Sequence, residues 1–335
     1  MSAPEGTHFV VRLGSRELTH ERSTGVVAME IEDAEDCVGE AVITLDPHQH
    51  DPPALGVAME VEIDGVAVFH GFVSGWRWQM RDGLTRLAVV GSDVRGRLAA
   101  SLRTRTFEGV DERAAVRRVL DEAAVPVGGV CALGPASAHL WQREESDLAF
   151  VTRLAARRGA CVRVREGEVH VEPARRPEAA ITVEADDVLG IELEASLLGQ
   201  GEAYVARAWS EDQARVVEVR ASEDDLRGSG SGLTALALAS RARMGVVERS
   251  DVPSGLASDV AAAAVCALRE RAGRLVEGEV VVRGRAAVSA GRDVALRGVP
   301  APLQIQGWVR RVRHELSPGA PFLTSMWICG DRLPV

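Results

Sequence analysis

The chain has 335 residues, of which 46% are hydrophobic and 26% are charged, so it is long enough for two or three globular domains with a substantial core. Its formal net charge is −10, and arginine supplies every one of its 39 basic residues. This acidic balance argues against a general nucleic-acid binder or a protein of anionic membrane surfaces.

Residues 8–92 form short, valine-rich segments that often alternate between apolar and polar residues, with Gly or Asp-Gly turns between them. This pattern predicts the strands of a sandwich or barrel. Asp64-Gly65 and Asp82-Gly83 are hairpin signals. A proline-rich loop, LDPHQHDPP at 45–53, interrupts the series.

The character of the sequence changes between residues 111 and 172. Asp111 is placed to cap a helix over 112–124, which Pro126 ends. Two short segments, ACVRVR and EVHVEP, follow later and are joined by a Glu166-Gly167 turn. These features predict a small α+β insert.

Strand patterns return from about residue 180 and continue to the end of the chain. Within them, GSGSG at 228–232 predicts a flexible loop. Ser258 as N-cap, Asp259 in the first turn, an alanine-rich interior and Gly273 beyond the end predict a second helix over about 258–272.

The two β regions share a spacing of glycines. Three glycines mark strand ends in each region: Gly56, Gly71 and Gly91 in the first, and Gly291, Gly307 and Gly330 in the second. The intervals are 15 and 20 residues in the first and 16 and 23 in the second, and the regions close at Asp93 and Asp331. Coincidence among many glycine-bounded strands is the alternative, but three near-equal spacings favour an internal duplication.

The segment 142–159, QREESDLAFVTRLAARRG, lies between the two β regions. Ser146 is a good N-cap, Asp147 complements the helix dipole, and Gly159 suits the left-handed position after the last turn. Apolar residues recur at helical spacing: Leu148, Val151, Leu154 and Ala155. The segment therefore predicts a helix over 147–158 with one apolar face.

This segment also resembles a known signature. Its Q-x-x-E-S-D-x-x-F-x-x-R-L run, closed by a glycine, is similar to hub proteins of contractile injection machines, namely the phage late control protein D family and the N-terminal hub region of VgrG proteins. The matching residues, expected to be structural, are Gln142, Glu145, Ser146, Asp147, Phe150, Arg153, Leu154 and Gly159. An ordinary amphipathic helix after a polar loop is the alternative.

The resemblance implies a mainly β fold with two tube-like β-barrels and a small α+β domain between them. The expected boundaries are 1–105 for the first barrel, 106–178 for the insert and 179–335 for the second barrel with its inserted helix.

The function that the resemblance implies is that of a baseplate hub in a phage tail, tailocin or related particle. Three copies of a two-barrel chain would present six similar barrels, which fits a six-fold inner tube on one side and a three-fold spike on the other. The implied partners are two further copies of the chain, the inner tube protein ring, a trimeric spike protein and other baseplate proteins. Since neither an oligonucleotide-binding-type domain nor a β-helical spike follows Asp331, a separate spike protein is expected.

Catalytic and metal-binding patterns are weak. His48 and His50 lie in a proline-rich loop that holds few ligands rigidly, so a surface loop is preferred to a zinc site. Glu144, Glu145 and Asp147 are better explained by the helix N-terminus than by acid/base chemistry, and GSGSG fits neither a phosphate loop nor a nucleophile elbow. We expect no catalysis, no cofactor, no metal, no nucleic acid and no membrane insertion. A baseplate-associated cell-wall hydrolase and a monomeric two-barrel binding module remain the alternatives.

The expected compartment follows from the cysteines and the N-terminus. The five cysteines (Cys37, Cys131, Cys161, Cys266 and Cys329) lie far apart without a C-x-x-C pair, which favours reduced, unligated thiols. The N-terminus lacks a basic region followed by an apolar stretch, and the apolar run at 261–268 is too short to span a bilayer. We expect synthesis and assembly in the cytoplasm and a final place in the baseplate.

Overall fold

A computed structural model describes residues 7–21, 25–35, 37–81, 84–134, 136–174, 180–228, 232–250, 252, 255–317 and 319–334. Two sequence predictions, the turn at Asp82-Gly83 and the centre of the loop at 228–232, lie outside these residues. The chain is mostly β, as the sequence predicted, with 50% strand and 19% helix.

The first β region contains seven strands and a short helix: β1 (Phe9–Leu13), β2 (Arg16–Thr19), β3 (Val26–Ala34), β4 (Glu40–Leu45), β5 (Ala58–Ile63), β6 (Val66–Arg81), β7 (Leu84–Asp93) and α1 (Arg95–Ala99). The insert follows with β8 (Arg103–Asp111), α2 (Glu112–Glu122), β9 (Val127–Val130), β10 (Ala136–Glu145), α3 (Asp147–Arg157), β11 (Ala160–Arg165) and β12 (Glu168–Pro173).

The second β region begins with β13 (Ile181–Glu184), β14 (Val188–Ala195), β15 (Ala203–Ser210), β16 (Arg215–Arg220), β17 (Leu233–Thr234), α4 (Ala235–Arg241), β18 (Val246–Arg249) and α5 (Ala257–Ala272). It ends with β19 (Val276–Arg283), β20 (Asp293–Arg297), β21 (Gln306–Leu316), β22 (Leu323–Gly330) and β23 (Arg332–Leu333). Short 3₁₀ turns lie at Ala185–Asp187, Glu223–Asp225 and Ala301–Leu303.

A single 13-stranded sheet runs through both β regions in the order β14-β19-β22-β21-β3-β4-β7-β6-β5-β1-β2, and off this path β20 pairs with β21 and β13 pairs with β20. It curls into a half-barrel. The two regions meet where β21 pairs with β3. The predicted division into two separate barrels is therefore not confirmed, because this one pairing, between strands about 280 residues apart, joins the regions edge to edge.

The duplication that the glycine spacing predicted is confirmed as two copies of a five-strand unit. Unit 1 is ordered β3-β4-β7-β6-β5 and unit 2 is ordered β14-β19-β22-β21-β20, with every neighbouring pair antiparallel. The units carry β-bulges at the same two places: Val26/Ala28 and Val188/Gly190 on their first strands, and Val73/Gly75 and Val309/Arg311 on β6 and β21.

A hydrogen bond just before β5 in unit 1 is repeated just before β20 in unit 2. The Gly56 amide donates to the Val73 carbonyl at 2.8 Å, and the Gly291 amide donates to the Val309 carbonyl at 2.6 Å. Gly56 and Gly291 have φ values of 85° and 83°, a left-handed conformation that favours glycine. These two glycines are therefore equivalent in structure as well as in spacing.

The third predicted correspondence, between Gly91 and Gly330, is wrong. Phe72 pairs with Ser92 across β6 and β7, whereas Trp308 pairs with Cys329 across β21 and β22. Ser92 is thus equivalent to Cys329, and Gly91 and Gly330 do not correspond. Equal residue spacing could not locate this position, because the loops between the strands differ in length.

Three buried apolar clusters underlie the fold. One draws its residues from the first β region together with Leu316 and Phe322, one from residues 94–171, and one from residues 183–328. Val94 and Leu98 belong to the insert cluster although they precede the predicted boundary at 106. The boundaries 1–105, 106–178 and 179–335 stay predictions of where independent domains begin and end.

Candidate functional site

The helix α3 is built as its sequence predicts at both ends. Ser146 accepts a hydrogen bond from the Ala149 amide at 3.1 Å, which satisfies an otherwise unpaired donor of the first turn. Gly159 follows the last turn with φ 65°. In contrast, Ser258 does not cap α5, since that helix begins at Ala257 with Leu256 as its N-cap and no side-chain cap.

Two polar residues of the signature form a buried network with an arginine of β8. Asp147 and Gln142 are both 0% exposed. Arg105 donates to the Asp147 carboxylate at 2.9 Å and to the Gln142 amide oxygen at 2.6 Å, and the Gln142 amide nitrogen donates to the same carboxylate at 2.8 Å. A buried charge without a partner destabilises the folded state, so removal of any one of these three side chains should destabilise the other two in their buried positions.

A second pair of signature residues fixes the outer side of α3. Arg153 donates to the Glu145 carboxylate at 2.5 Å and 3.2 Å, and to the Trp141 carbonyl at 2.8 Å. Its guanidinium lies 5.3 Å from the centre of the Phe150 ring, which in turn stacks on Phe107 at 5.4 Å. The acidic residues next to the helix, Glu145 and Asp147, thus have structural partners.

The apolar face of α3 packs into the insert core. Leu154 and Val151 are 0% exposed and Leu148 is 7% exposed. Arg157 is half-buried beside Cys266 and α5, and burial lowers its pKa below the usual arginine value. The face was predictable from helical spacing, but the neighbour that covers Arg157 was not.

A buried ionic cluster connects the insert to both β regions. The Glu35 carboxylate, just after β3, accepts hydrogen bonds from Arg163 of β11 at 2.8 Å and from Arg227 at 2.9 and 3.0 Å. Burial alone would raise the pKa of Glu35, but the two guanidinium groups outweigh it and hold that pKa below its usual value. Residues this far apart in sequence gave no signal of their proximity.

A further ionic contact joins α3 to α5. Arg158, at the end of α3, donates to the Glu112 carboxylate at 2.9 Å and to the Asp259 carboxylate in the first turn of α5 at 2.6 Å. The insert is therefore held to the second β region at two places, through Glu35 and through Asp259.

The seam between the units carries charged residues on its outer face. Arg313 of β21 lies 3.3 Å from Glu32 and 3.4 Å from Glu30, and Arg311 lies 3.3 Å from Glu32. On the inner face, Val312, His314 and Leu316 are 1%, 3% and 4% exposed. The basic residues of β21 are thus paired with acidic residues of β3.

No group of three or more His, Cys, Asp or Glu residues is arranged to hold a metal within the described ranges. In the proline-rich loop, the Asp46 carboxylate accepts the His48 amide at 3.0 Å, a local turn contact. Burial raises the pKa of the Cys329 thiol to about 11, whereas Cys37 is exposed. No helix in the part of the chain that the structure describes is long and apolar enough to cross a membrane.

One exposed feature escaped the sequence analysis. Trp76, Trp78 and Met80 alternate along β6 and are 46%, 44% and 79% exposed. Strand periodicity predicts that such residues face a core. Here they extend beyond β5, which pairs only with the first half of β6.

Comparison with known proteins finds one matching family model and several solved structures of similar fold. The family described as "Alg8 N-terminal domain" matches residues 57–318. No curated protein sequence matches the chain.

Three solved structures share the fold over most of the chain. The 43 kDa tail protein of prophage MuSo2 from Shewanella oneidensis is 14% identical with a TM-score of 0.71, over 96% of this chain and 97% of that one. A tail protein from Neisseria meningitidis is 16% identical with a TM-score of 0.68, over 97% of each chain. An E. coli type VI secretion component, described as similar to T4 tail proteins gp27 and gp5, is 14% identical with a TM-score of 0.59, over 93% of this chain and 74% of that one.

Proposed function

We propose that this chain, which belongs to the Alg8 N-terminal domain family, is a structural baseplate hub of a contractile injection machine, on the strength of its repeated five-strand unit and its fold. In this role three copies form a ring that joins a six-fold inner tube to a three-fold spike. The machine is a phage tail, a tailocin or a related particle. The protein acts by shape and symmetry, not by catalysis.

The observation that carries the proposal is the pair of five-strand units. Two units with the same strand order and the same bulges offer two similar edges and faces per chain. Three copies then offer six similar surfaces, although the assembly has only three-fold symmetry. Each subunit of a six-fold tube ring could bind one of these six similar surfaces. Residues that differ between the two units could bind a three-fold spike.

The fold comparison supports the same role. The three similar structures are two tail proteins and a type VI secretion component. Their low sequence identity limits the likeness to fold, so tube ring, spike and other baseplate proteins are proposed as partners on the strength of fold and repeat together.

The buried ionic contacts suit an adaptor that must keep its shape. Glu35 links the insert to both β regions, and Arg158 links α3 to α5. Removing one member of a buried ion pair leaves an uncompensated charge, so these contacts resist relative movement of the parts. The signature residues, by this account, hold the insert and are structural.

Native mass spectrometry of the full chain tests the proposal, both alone and after co-expression with candidate tube and spike proteins from the same source. The expected result is a species of three times the chain mass that also binds the tube protein. A chain that stays monomeric in both preparations would show that it is not a hub and would favour a monomeric binding module.

A further inference from the structure

The strand β6 has a free edge. Its residues 66–72 pair with β5 on one side, and residues 71–81 pair with β7 on the other. No strand within the described ranges pairs with residues 74–81 on the β5 side. An exposed edge with alternating apolar side chains is a template for another strand.

The equivalent edge of unit 2 is occupied. On β21, residues 306–308 pair with β20, and residues 311–316 pair with β3 on that same side. The matching bulges make Trp76, Trp78 and Met80 of β6 equivalent to Val312, His314 and Leu316 of β21. The three residues of β21 are buried, whereas their counterparts on β6 are exposed.

A second free edge lies at the other end of the sheet. The first strand of unit 2, β14, pairs with β19, and no other described strand pairs with it. Its counterpart in unit 1, β3, has β21 on the corresponding side. Each unit thus has two edges that can pair with another unit: that of β6 or β21, and that of β3 or β14. Within the chain β21 pairs with β3, and the equivalent pairing between β6 and β14 is not made.

We propose that residues 76–80 of β6 pair with residues 191–195 of β14 from a second copy of the chain, antiparallel and in the register of the β21–β3 pair. The bulges align β6 with β21 and β14 with β3, so each residue of the β21–β3 pair has an equivalent in the proposed pair. By this alignment Trp78 lies opposite Leu193, and Arg77 lies opposite Glu194. The proposal rests on the proposed hub function, since it specifies how neighbouring copies of the ring meet.

Charge supports this register. Within the chain, Arg313 faces Glu32 and also approaches Glu30. At the proposed contact the equivalent residues are Arg77, Glu194 and Glu192. An arginine would therefore again lie opposite one glutamate and close to a second. Opposite charges directly across a strand pair are favourable, and a shift by one residue would instead place Arg77 opposite an apolar residue.

The geometry also closes a ring. Each chain would contribute eight strands to one continuous sheet, four from each unit: β3, β4, β7 and β6, and β21, β22, β19 and β14. Units would meet through the same kind of pairing, alternately within a chain and between chains. In a trimer this gives six nearly equivalent seams and leaves none of these edges open.

Disulfide trapping tests the register. The variant Trp78→Cys/Leu193→Cys, made with Cys37→Ser to remove the exposed native thiol, places two thiols on directly opposed residues, within the Cα separation that a disulfide needs. Oxidation should produce covalent dimers and trimers on non-reducing gels, which dithiothreitol should reverse. The matched control, Trp78→Cys/Leu189→Cys, puts the second thiol on the same strand four residues away, about 13 Å along it, and should not cross-link.

Charge exchange gives an independent measurement that does not require a disulfide. Arg77→Glu and Glu194→Arg should each weaken trimer formation by about tenfold or more, because like charges then face each other, and the double variant should recover most of the loss. Arg220→Glu, an exposed position on β16, is the control and should leave assembly unchanged. Because Arg77 and Glu194 are both exposed, each single variant should keep the unfolding temperature of the monomer.

The outcomes separate this inference from the function on which it rests. A native trimer without the Trp78–Leu193 cross-link, and without rescue in the double charge variant, would overturn the strand pairing and leave the hub proposal standing. A chain that remains monomeric even with tube and spike proteins would overturn both. A cross-link equally strong at Leu189 would also reject the register.

Discussion

Gly71 and Gly307 occupy the same place in the two units, and a Cβ atom on either would lie 2.2 Å from a backbone carbonyl oxygen of the next strand, that of Ser92 or of Cys329. Both residues precede the bulge of their strand by two positions. The equal approach of the neighbouring backbone explains why glycine is found at both positions.

Alanine at Gly71 or at Gly307 should therefore lower the free energy of unfolding by about 1–3 kcal/mol, because the backbone must shift to admit the methyl group. Gly75→Ala is the matched control on the same strand, since a Cβ there meets nothing within 4 Å. It should be neutral or slightly stabilising. Urea unfolding of the three variants checks this, and equal stability of Gly71→Ala and Gly75→Ala would contradict the close approach.

Leu154→Ala should destabilise the chain by about 2–5 kcal/mol, because it removes a fully buried side chain from the insert core and leaves a cavity. Leu198→Ala, at a leucine that is 87% exposed, should change stability little. Thermal and urea unfolding compare the two. Similar midpoints for both variants would mean that α3 is peripheral to the fold.

Asp147→Ala should cost about 3 kcal/mol, since it leaves Arg105 and Gln142 without their buried acceptor. Glu218→Ala is the control, because Glu218 is 53% exposed and pairs with Arg207 at the surface; its loss should cost less than about 1 kcal/mol. Urea unfolding at low and high salt should show the Asp147 effect at both salt concentrations.

His314, on the inner face of the seam, should make stability depend on pH. Burial lowers its pKa to about 4 from the usual 6.5, and its ring nitrogens lie 3.1 Å from Thr324 Oγ1 and from the Val288 carbonyl. Between these two pKa values the unfolded chain binds a proton that the folded chain does not. The contribution of His314 is therefore fully present above pH 6.5 and declines as pH falls toward 4, by about 3 kcal/mol in all.

His314→Gln should remove this part of the pH dependence, whatever it does to stability at neutral pH. His20→Gln, outside the seam, should preserve it. The measurement is the free energy of unfolding at several pH values between 4 and 7. An unchanged slope in His314→Gln would show that other groups cause the acid sensitivity.

Local features were predictable from sequence because their causes are local. The Ser146 cap, the apolar face of α3 and the positive-φ glycine Gly159 depend on neighbours within a few residues. The duplication was visible because glycine recurs at equivalent positions of the two units, Gly56 with Gly291 and Gly71 with Gly307. The predicted correspondence of Gly91 with Gly330 was wrong because the loops between the strands differ in length.

The joining of the units could not be predicted in this way. It depends on β21 meeting β3, and on Glu35 meeting Arg163 and Arg227, across more than a hundred residues of chain in each case. Strand periodicity identifies which face of a strand is apolar but not which strand lies beside it. The exposed edge of β6 became recognisable only once its occupied counterpart in unit 2 was known.

Cryo-electron microscopy of the full chain, purified with the proposed tube and spike proteins, tests the central claim most directly. We predict a ring of three chains in which six five-strand units surround one channel, with tube subunits above the six units and a three-fold spike below. A ring of six chains, or single chains bound at separate places on the particle, would contradict the account.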